Sequence, residues 1–217
     1  MSVICIAGMV ATGKSSISKI LGEALGSQVF YENVDNNDIL PLFYTAPIEE
    51  QEAKRYPFLL QLDFLDSRFR DIKKAYSENK NIIDRSIYED VYFCKVNTDL
   101  GRISELEFKI YNKLLDNMME ELDTLPKKAP DLMVYLKGSF ETVMERIKMR
   151  GRDFEQEVDI EYYRALWEGY DDWFEKYYDK SEVITFNIDE LDFVKNPEDA
   201  AYVVEMVEGK LKEMGII

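Results

Sequence analysis

The sequence predicts an α/β fold, a five-stranded parallel sheet covered by helices on both faces. Short apolar runs typical of strands alternate along the 217 residues with longer stretches whose apolar residues recur at helical spacing. Because parallel strands need crossover connections, this alternation favours a parallel sheet between two helical layers. The length suits one domain, and no linker or repeat divides residues 1–217.

The elements follow from local patterns. Strands are predicted at 3–7, 28–32, 81–84, 132–136 and 183–186, and helices at 16–25, 58–76, 88–96, 104–122, 140–150, 159–178 and 197–214. Ser104 with Glu107 is a capping-box pattern that starts the fourth helix. Its apolar stripe suits either the core or an interface, and prolines at 126 and 130 end it. The stretch 34–56 contains Pro41 and Pro47 and is predicted to be irregular.

A phosphate-binding loop follows the first strand. The stretch fits Gly-x-x-x-x-Gly-Lys-Ser, in which the glycines permit backbone conformations that turn several N–H groups towards phosphate oxygens. The lysine supplies a positive charge, and the serine hydroxyl can bind Mg²⁺. We therefore expect a nucleoside triphosphate to be bound by Gly8, Met9, Val10, Ala11, Thr12, Gly13, Lys14, Ser15 and Ser16.

The composition excludes several kinds of function. The chain carries 27 Lys and Arg against 43 Asp and Glu, a net charge of −16 that repels nucleic-acid polymers and anionic membranes. It has no histidine, which excludes Ser-His-Asp catalysis and histidine metal sites. Two cysteines make no disulfide framework, and the first strand begins at the N-terminus, so we expect a cytoplasmic protein.

Charged residues at the ends of the predicted strands mark the chemistry. Ligands of open α/β sheets bind at the carboxyl ends of the strands, where Glu32, Asp84 and Arg85 are predicted to lie. A carboxylate beside a phosphate loop suits Mg²⁺, which assigns the metal to Ser15 and Asp84. Arg85 suits a phosphate or sugar oxygen, although a structural ion pair is the alternative.

Three arginines near residue 150 suggest a lid. Arg146 and Arg150 share a helix face, Gly151 allows a turn, and Arg152 follows. Mobile arginines that neutralise charge are expected in phosphoryl transfer, so we place a lid at about 150–158. The alternative is a solvated basic face that pairs with nearby acids.

These motifs together resemble the deoxynucleoside kinases of the deoxycytidine/deoxyguanosine kinase type, and most closely the bacterial deoxyadenosine and deoxyguanosine kinases. The resemblance implies a P-loop kinase fold, ATP with Mg²⁺ as donor, a homodimer and a role in deoxynucleotide salvage. It implies that Glu32 is the general base, with Arg85 and Lys14 as the other catalytic groups. The substrate-binding residues that match the family are Glu32, Tyr44, Gln61, Arg68, Arg85, Asp90 and Glu155.

The expected reaction is transfer of the ATP γ-phosphate to the 5′-hydroxyl of a 2′-deoxynucleoside. Arg68 and Asp90 offer a donor fork and an acceptor, which suits adenine, guanine or cytosine better than thymine. We expect deoxyadenosine or deoxyguanosine, with a deoxycytidine-preferring or broad-specificity enzyme as the alternative. A nucleoside monophosphate kinase would need another basic group for the acceptor phosphate, and a GTPase would need an Asn-Lys-x-Asp motif, which the sequence lacks.

Overall fold

Five parallel strands form one sheet, as the sequence predicts. The computed structural model describes residues 2–34, 36–76, 80–124, 129–152, 154 and 160–217. The strand order is β2-β3-β1-β4-β5. Ile4 of β1 pairs with Ile82 on one side and with Leu132 on the other, which places β1 at the centre. The strands are β1 (Val3–Gly8), β2 (Gln28–Phe30), β3 (Asn81–Asp84), β4 (Leu132–Lys137) and β5 (Glu182–Asn187).

Helices connect the strands and cover both faces of the sheet. A short 3-10 helix, Ile87–Glu89, precedes α5. None of the helices in the described part of the chain combines the length and apolarity needed to cross a membrane. The helices are α1 (Lys14–Leu25), α2 (Ile39–Thr45), α3 (Ile48–Lys54), α4 (Tyr56–Ala75), α5 (Asp90–Asp99), α6 (Glu105–Leu122), α7 (Phe140–Arg150), α8 (Ile160–Tyr177) and α9 (Pro197–Glu213).

The sheet separates two hydrophobic cores because successive side chains of a strand point to opposite faces. From β1, Cys5 belongs to the larger core, which α4, α5, α7 and α8 also supply. Ile4 and Ile6 belong to the smaller core with residues of α1 and α9, among them Ile17 and Val207. The central strands are therefore buried on both faces, which leaves their carboxyl ends as the open edge for a ligand.

Two sequence expectations are wrong. The stretch 34–56 is not irregular but contains α2 and α3, because its prolines lie where a helix tolerates them: Pro41 in the first turn of α2 and Pro47 at the N-cap of α3. The Asn37 side chain accepts hydrogen bonds from Ile39 N at 3.0 Å and Leu40 N at 2.8 Å, which helps to start α2. Strand β2 ends at Phe30, so Glu32 lies in the loop beyond it.

The capping box predicted for α6 is confirmed. Ser104 Oγ accepts from Glu107 N, and the Glu107 carboxylate accepts from Ser104 N at 2.8 Å. This helix contributes Tyr111 and Leu122 to the core, and both side chains are buried. Leu106, Ile110 and Leu114 are exposed, with fractional exposures of 67%, 50% and 37%.

Candidate active site

The phosphate loop connects the end of β1 to the start of α1. Gly8 has a φ of +140°, and a Cβ there would lie 2.5 Å from the carbonyl oxygen of Leu136. Gly13 has a φ of +96°, which L side chains rarely adopt. The first turn of α1 begins at Lys14, so the positive end of the helix dipole faces the loop. This arrangement can hold an anion.

The Lys14 side chain lies across the phosphate loop. Lys14 Nζ donates hydrogen bonds to Gly8 O at 2.9 Å and Met9 O at 2.8 Å. Burial, followed by repulsion from Arg85, lowers the pKa of Lys14 to about 7. A phosphate in the loop would offer this side chain a far better acceptor than two neutral carbonyls.

Ser15 and Asp84 meet as the metal prediction requires. Ser15 Oγ donates to Asp84 Oδ2 at 2.5 Å. The second carboxylate oxygen, Asp84 Oδ1, is buried and has no hydrogen-bond partner among the described residues. Burial raises the pKa of Asp84. A buried oxygen without a partner next to a hydroxyl is a donor set that suits Mg²⁺, which prefers oxygen ligands.

A network of two carboxylates and two guanidiniums lies beyond the phosphate loop. Arg68 of α4 donates from Nη2 to Glu32 Oε1 at 2.5 Å and from Nη1 to Asp90 Oδ1. Arg85 Nε lies 2.9 Å from the same Glu32 oxygen. Burial raises the pKa of Glu32, but Arg85 and Arg68 outweigh it and hold the pKa at about 2. Glu32 is therefore an anion near neutral pH.

These groups share one cavity of about 680 Å³, a size suited to a small-molecule ligand. Gln61 is buried in its wall, and Tyr44 lines it while stacking on Phe154 with ring centroids 5.7 Å apart. The predicted residues that line the cavity are Val10, Ala11, Gly13, Lys14, Ser15, Ser16, Glu32, Tyr44, Gln61, Arg68, Arg85, Asp90, Arg146, Arg150 and Arg152.

Four predicted loop or metal residues lie behind the cavity wall. Gly8, Met9 and Thr12 are not among the lining residues, and Thr12 Oγ1 instead donates to Met9 O at 2.9 Å. Asp84 reaches the cavity only through Ser15. These residues shape the loop from behind.

The three arginines of the predicted lid have different positions. Arg146 is half-buried and donates to the loop carbonyl of Thr12 at 3.0 Å and to Ile188 O at 3.1 Å. Arg146 is therefore fixed to the phosphate loop rather than to a mobile segment. Arg150 and Arg152 line the cavity. Of the predicted lid at 150–158, residues 153 and 155–158 lie outside the described residues, and Glu155 is among them.

Sequence reasoning missed two parts of the site. The turn between β5 and α9 contributes Asp192, Val194 and Lys195 to the cavity beside the phosphate loop, and no motif marked it. Glu89 was also missed. It is completely buried and accepts a hydrogen bond from Gly8 N at 2.9 Å. Its signal was present as Ser86-x-x-Glu89, a capping-box pattern that the structure confirms.

Comparison with known proteins agrees with this geometry. The family model described as deoxynucleoside kinase matches residues 4–212. The chain is 47% identical to the deoxyguanosine kinase of Lactobacillus johnsonii, over 99% of this chain and 95% of the relative. It is 44% identical to the deoxyadenosine kinase of Lactobacillus acidophilus, over 99% of both chains.

The fold is also similar to that of a solved kinase. The structure of deoxyadenosine kinase from M. mycoides with bound dATP superposes with a TM-score of 0.79 and 28% sequence identity, covering 97% of this chain and 99% of the other. Sequence, fold and site geometry thus agree over nearly the whole chain. The chain belongs to the deoxynucleoside kinase family and is an enzyme of that kind.

Proposed function

We propose that this kinase phosphorylates the 5′-hydroxyl of purine 2′-deoxynucleosides, deoxyadenosine or deoxyguanosine, with ATP and Mg²⁺. One observation carries the proposal: a partly buried carboxylate, Glu32, lines the same cavity as the phosphate loop and is held by Arg68 and Arg85. The relatives named as deoxyguanosine and deoxyadenosine kinases support the purine preference. Such a reaction recovers deoxynucleosides as monophosphates, which is the chemistry of deoxynucleotide salvage.

Glu32 accepts the proton of the attacking 5′-hydroxyl. Glu32 has a pKa of about 2 and is therefore a weak base. A weak base suffices where the transition state is loose, because proton transfer then comes late and positioning dominates. Arg85, 2.9 Å from Glu32, is placed to neutralise charge on the transferring phosphoryl group.

The proposed nucleobase site rests on a carboxylate oxygen of Asp90 that has no hydrogen bond in the described part of the chain. Asp90 Oδ2 is buried and has no hydrogen-bond partner among the described residues. A buried acceptor without a donor is unfavourable, so a base that brings an N–H group is favoured there. Gln61 adds a donor and an acceptor in the same cavity. This pattern suits the amino group of adenine or the N1–H and O6 of guanine.

Mg²⁺ would be held by Ser15 and Asp84. When bound there, it supplies positive charge beside the donor phosphates. Among the described residues, no group of three or more His, Cys, Asp or Glu side chains could hold a metal ion. Phosphate oxygens and water would complete the coordination, as is common for Mg²⁺.

The test is phosphate transfer from ATP–Mg²⁺ to the four 2′-deoxynucleosides, with their 5′-monophosphates measured in parallel. We expect the highest kcat/KM with deoxyadenosine or deoxyguanosine and no product from the monophosphates. Thymidine as the best substrate would contradict the base site around Asp90. Product from a monophosphate alone would overturn the acceptor assignment.

We also propose that the protein is a homodimer through the exposed stripe of α6, formed by Leu106, Ile110 and Leu114. The resemblance to dimeric kinases supports a second copy as the occupant of this surface, and the three apolar side chains would gain from being covered. Size-exclusion chromatography with light scattering should show a dimer for the wild type. Ile110→Glu should give a monomer, whereas Met206→Glu, a matched change at a 42% exposed site on α9, should not. A monomeric wild type would refute the proposal.

A further inference from the structure

Glu89 is a completely buried carboxylate that does not line the ligand cavity. It ends the 3-10 helix that follows Arg85 and Ser86. Its two oxygens accept three hydrogen bonds, from Gly8 N at 2.9 Å, from Ser86 N at 3.0 Å and from the Tyr170 hydroxyl. These three donors belong to three different parts of the fold.

The first donor is the start of the phosphate loop. Glu89 Oε1 holds the N–H of Gly8, and the carbonyl of the same residue accepts from Lys14 Nζ at 2.9 Å. The peptide groups on both sides of Gly8 are therefore fixed by charged partners. Hydrogen bonds to charged groups are about twice as strong as those between neutral groups. Glu89 thus sets the direction in which the loop leaves β1.

The second donor follows the strained residue Arg85. Its φ is +89°, a conformation that is unfavourable for a residue with a side chain. Two bonds hold it: Arg85 N donates to Ile6 O at 2.9 Å, and Ser86 N donates to Glu89 Oε2. This backbone aims the guanidinium over the Phe93 ring, 4.7 Å from its centroid, and towards Glu32.

The third donor comes from α8, the helix that follows the predicted lid. The Tyr170 ring lies parallel to Tyr135, with centroids 6.4 Å apart, and contacts Tyr92 edge-on at 5.2 Å. Its hydroxyl points into the carboxylate of Glu89. Burial and the negative charge of Glu89 raise the pKa of Tyr170 well above its usual value, so the hydroxyl remains a donor.

We propose that Glu89 is a positioning residue for phosphoryl transfer, oriented by Tyr170, which fixes the phosphate loop and the strained backbone of Arg85 relative to one another. Glu89 touches neither substrate. It acts through Gly8 and Ser86, and α8 is connected to both through one hydroxyl. The inference rests on the kinase reaction proposed above.

The test compares two tyrosine variants on the same packing surface. Tyr170→Phe keeps the ring and removes the donor to Glu89. Tyr92→Phe removes a hydroxyl that donates to Leu166 O at 2.7 Å on the same helix, but it has no bond to the loop. We expect both to lower the melting temperature similarly. Only Tyr170→Phe should lower kcat, by about tenfold, as loss of one bond to a carboxylate implies.

The division between kcat and KM separates positioning from packing. The deoxynucleoside KM of Tyr170→Phe should stay within about twofold of the wild type, because Gln61 and Asp90 are untouched. Glu89→Gln should lower kcat further, because the NH2 group of the glutamine side chain would face a backbone N–H and two donors cannot bond to each other. Combined with Tyr170→Phe it should lose less than the sum of the two free-energy changes, because both substitutions act on the same hydrogen-bonded carboxylate.

Equal kcat values for Tyr170→Phe and Tyr92→Phe would overturn the inference, as would a loss confined to nucleoside KM. If Glu89→Gln fails to fold, the tyrosine pair still decides. A wild type that does not phosphorylate deoxynucleosides would instead refute the proposed function, so the two failures are distinguishable.

Discussion

Replacing Glu32 by glutamine keeps the shape of the side chain and removes the charge that Arg68 and Arg85 share. A general base contributes about 10² to 10⁴ in rate, so kcat should fall by that factor. Nucleoside binding should weaken much less, because the amide oxygen still accepts a hydrogen bond from Arg68 and the nucleobase is held by other residues. The assay is the initial rate of deoxyguanosine or deoxyadenosine phosphorylation at saturating ATP–Mg²⁺.

The same substitution should lower stability by an amount that the structure sets. The two arginines lower the pKa of Glu32 from 4.5 to about 2, which at about 1.4 kcal/mol for each pH unit corresponds to roughly 3 kcal/mol. Because the folded-state pKa is depressed, this stabilisation is complete above pH 4.5 and is lost as the pH falls through 2. Urea unfolding at pH 7 should therefore give a lower free energy of unfolding for Glu32→Gln than for the wild type, and this difference should shrink below pH 4.5.

Glu107→Gln is the matched control. Glu107, at the start of α6, is held by Arg55, and neither residue lines the cavity. Hydrogen bonds from that guanidinium lower the pKa of Glu107 to about 2 as well. The control should lose stability but keep its kcat. Turnover of Glu32→Gln within a few-fold of the wild type, in folded protein, would refute the assignment of Glu32 as the base.

Three further predictions concern the donor side of the cavity. Burial lowers the pKa of Lys14 to about 7, so the side chain is mostly neutral at pH 8 and should take up a proton when ADP–Mg²⁺ binds. Calorimetry in buffers of different ionisation enthalpy measures this uptake. The Lys14→Arg variant, whose guanidinium stays charged, should take up none. Asp84→Asn should raise the Mg²⁺ concentration needed for half-maximal rate by at least about tenfold, and an unchanged Mg²⁺ titration would argue against Asp84 as a ligand. Arg146→Ala, which removes bonds to the Thr12 and Ile188 carbonyls, should raise the KM for ATP with little change in the nucleoside KM; the reverse pattern would place Arg146 on the acceptor side.

Most of the fold could be predicted because its signals are local. Apolar runs and capping residues predict all five strands and seven of the helices, and α7 begins and ends where its pattern predicts, at Phe140 and Arg150. The prediction for the stretch 34–56 is wrong because its two helices are only seven residues long each, too short for helical periodicity to appear. Proline also breaks most helices, which favours an irregular segment in a prediction from sequence. Pro41 and Pro47 lie at helix starts, where no N–H bond is lost.

The site was predictable only where one residue type implies one chemistry. The phosphate loop could be predicted in this way, whereas the role of Glu32 as the base was implied only by the family resemblance and stays a prediction. What could not be found is that Arg68, expected to read the base, also holds Glu32. Such a contact joins residues 36 positions apart and depends on the packing of α4 against the sheet edge. Glu89 was missed for the same reason, since its partners Gly8 and Tyr170 are both 81 residues away.

The fork of Arg68 has a consequence for how such an enzyme changes its substrate. One guanidinium joins Asp90, the proposed base-reading carboxylate, to Glu32, the proposed general base. Removing one member of a buried ion pair leaves an uncompensated charge, at a cost of about 3–5 kcal/mol. A mutational path towards a base that needs an apolar pocket therefore cannot pass through Arg68 or Asp90 alone without losing stability or turnover. Both positions must change together, or Arg85 must first be able to hold Glu32 as its only ion-pair partner.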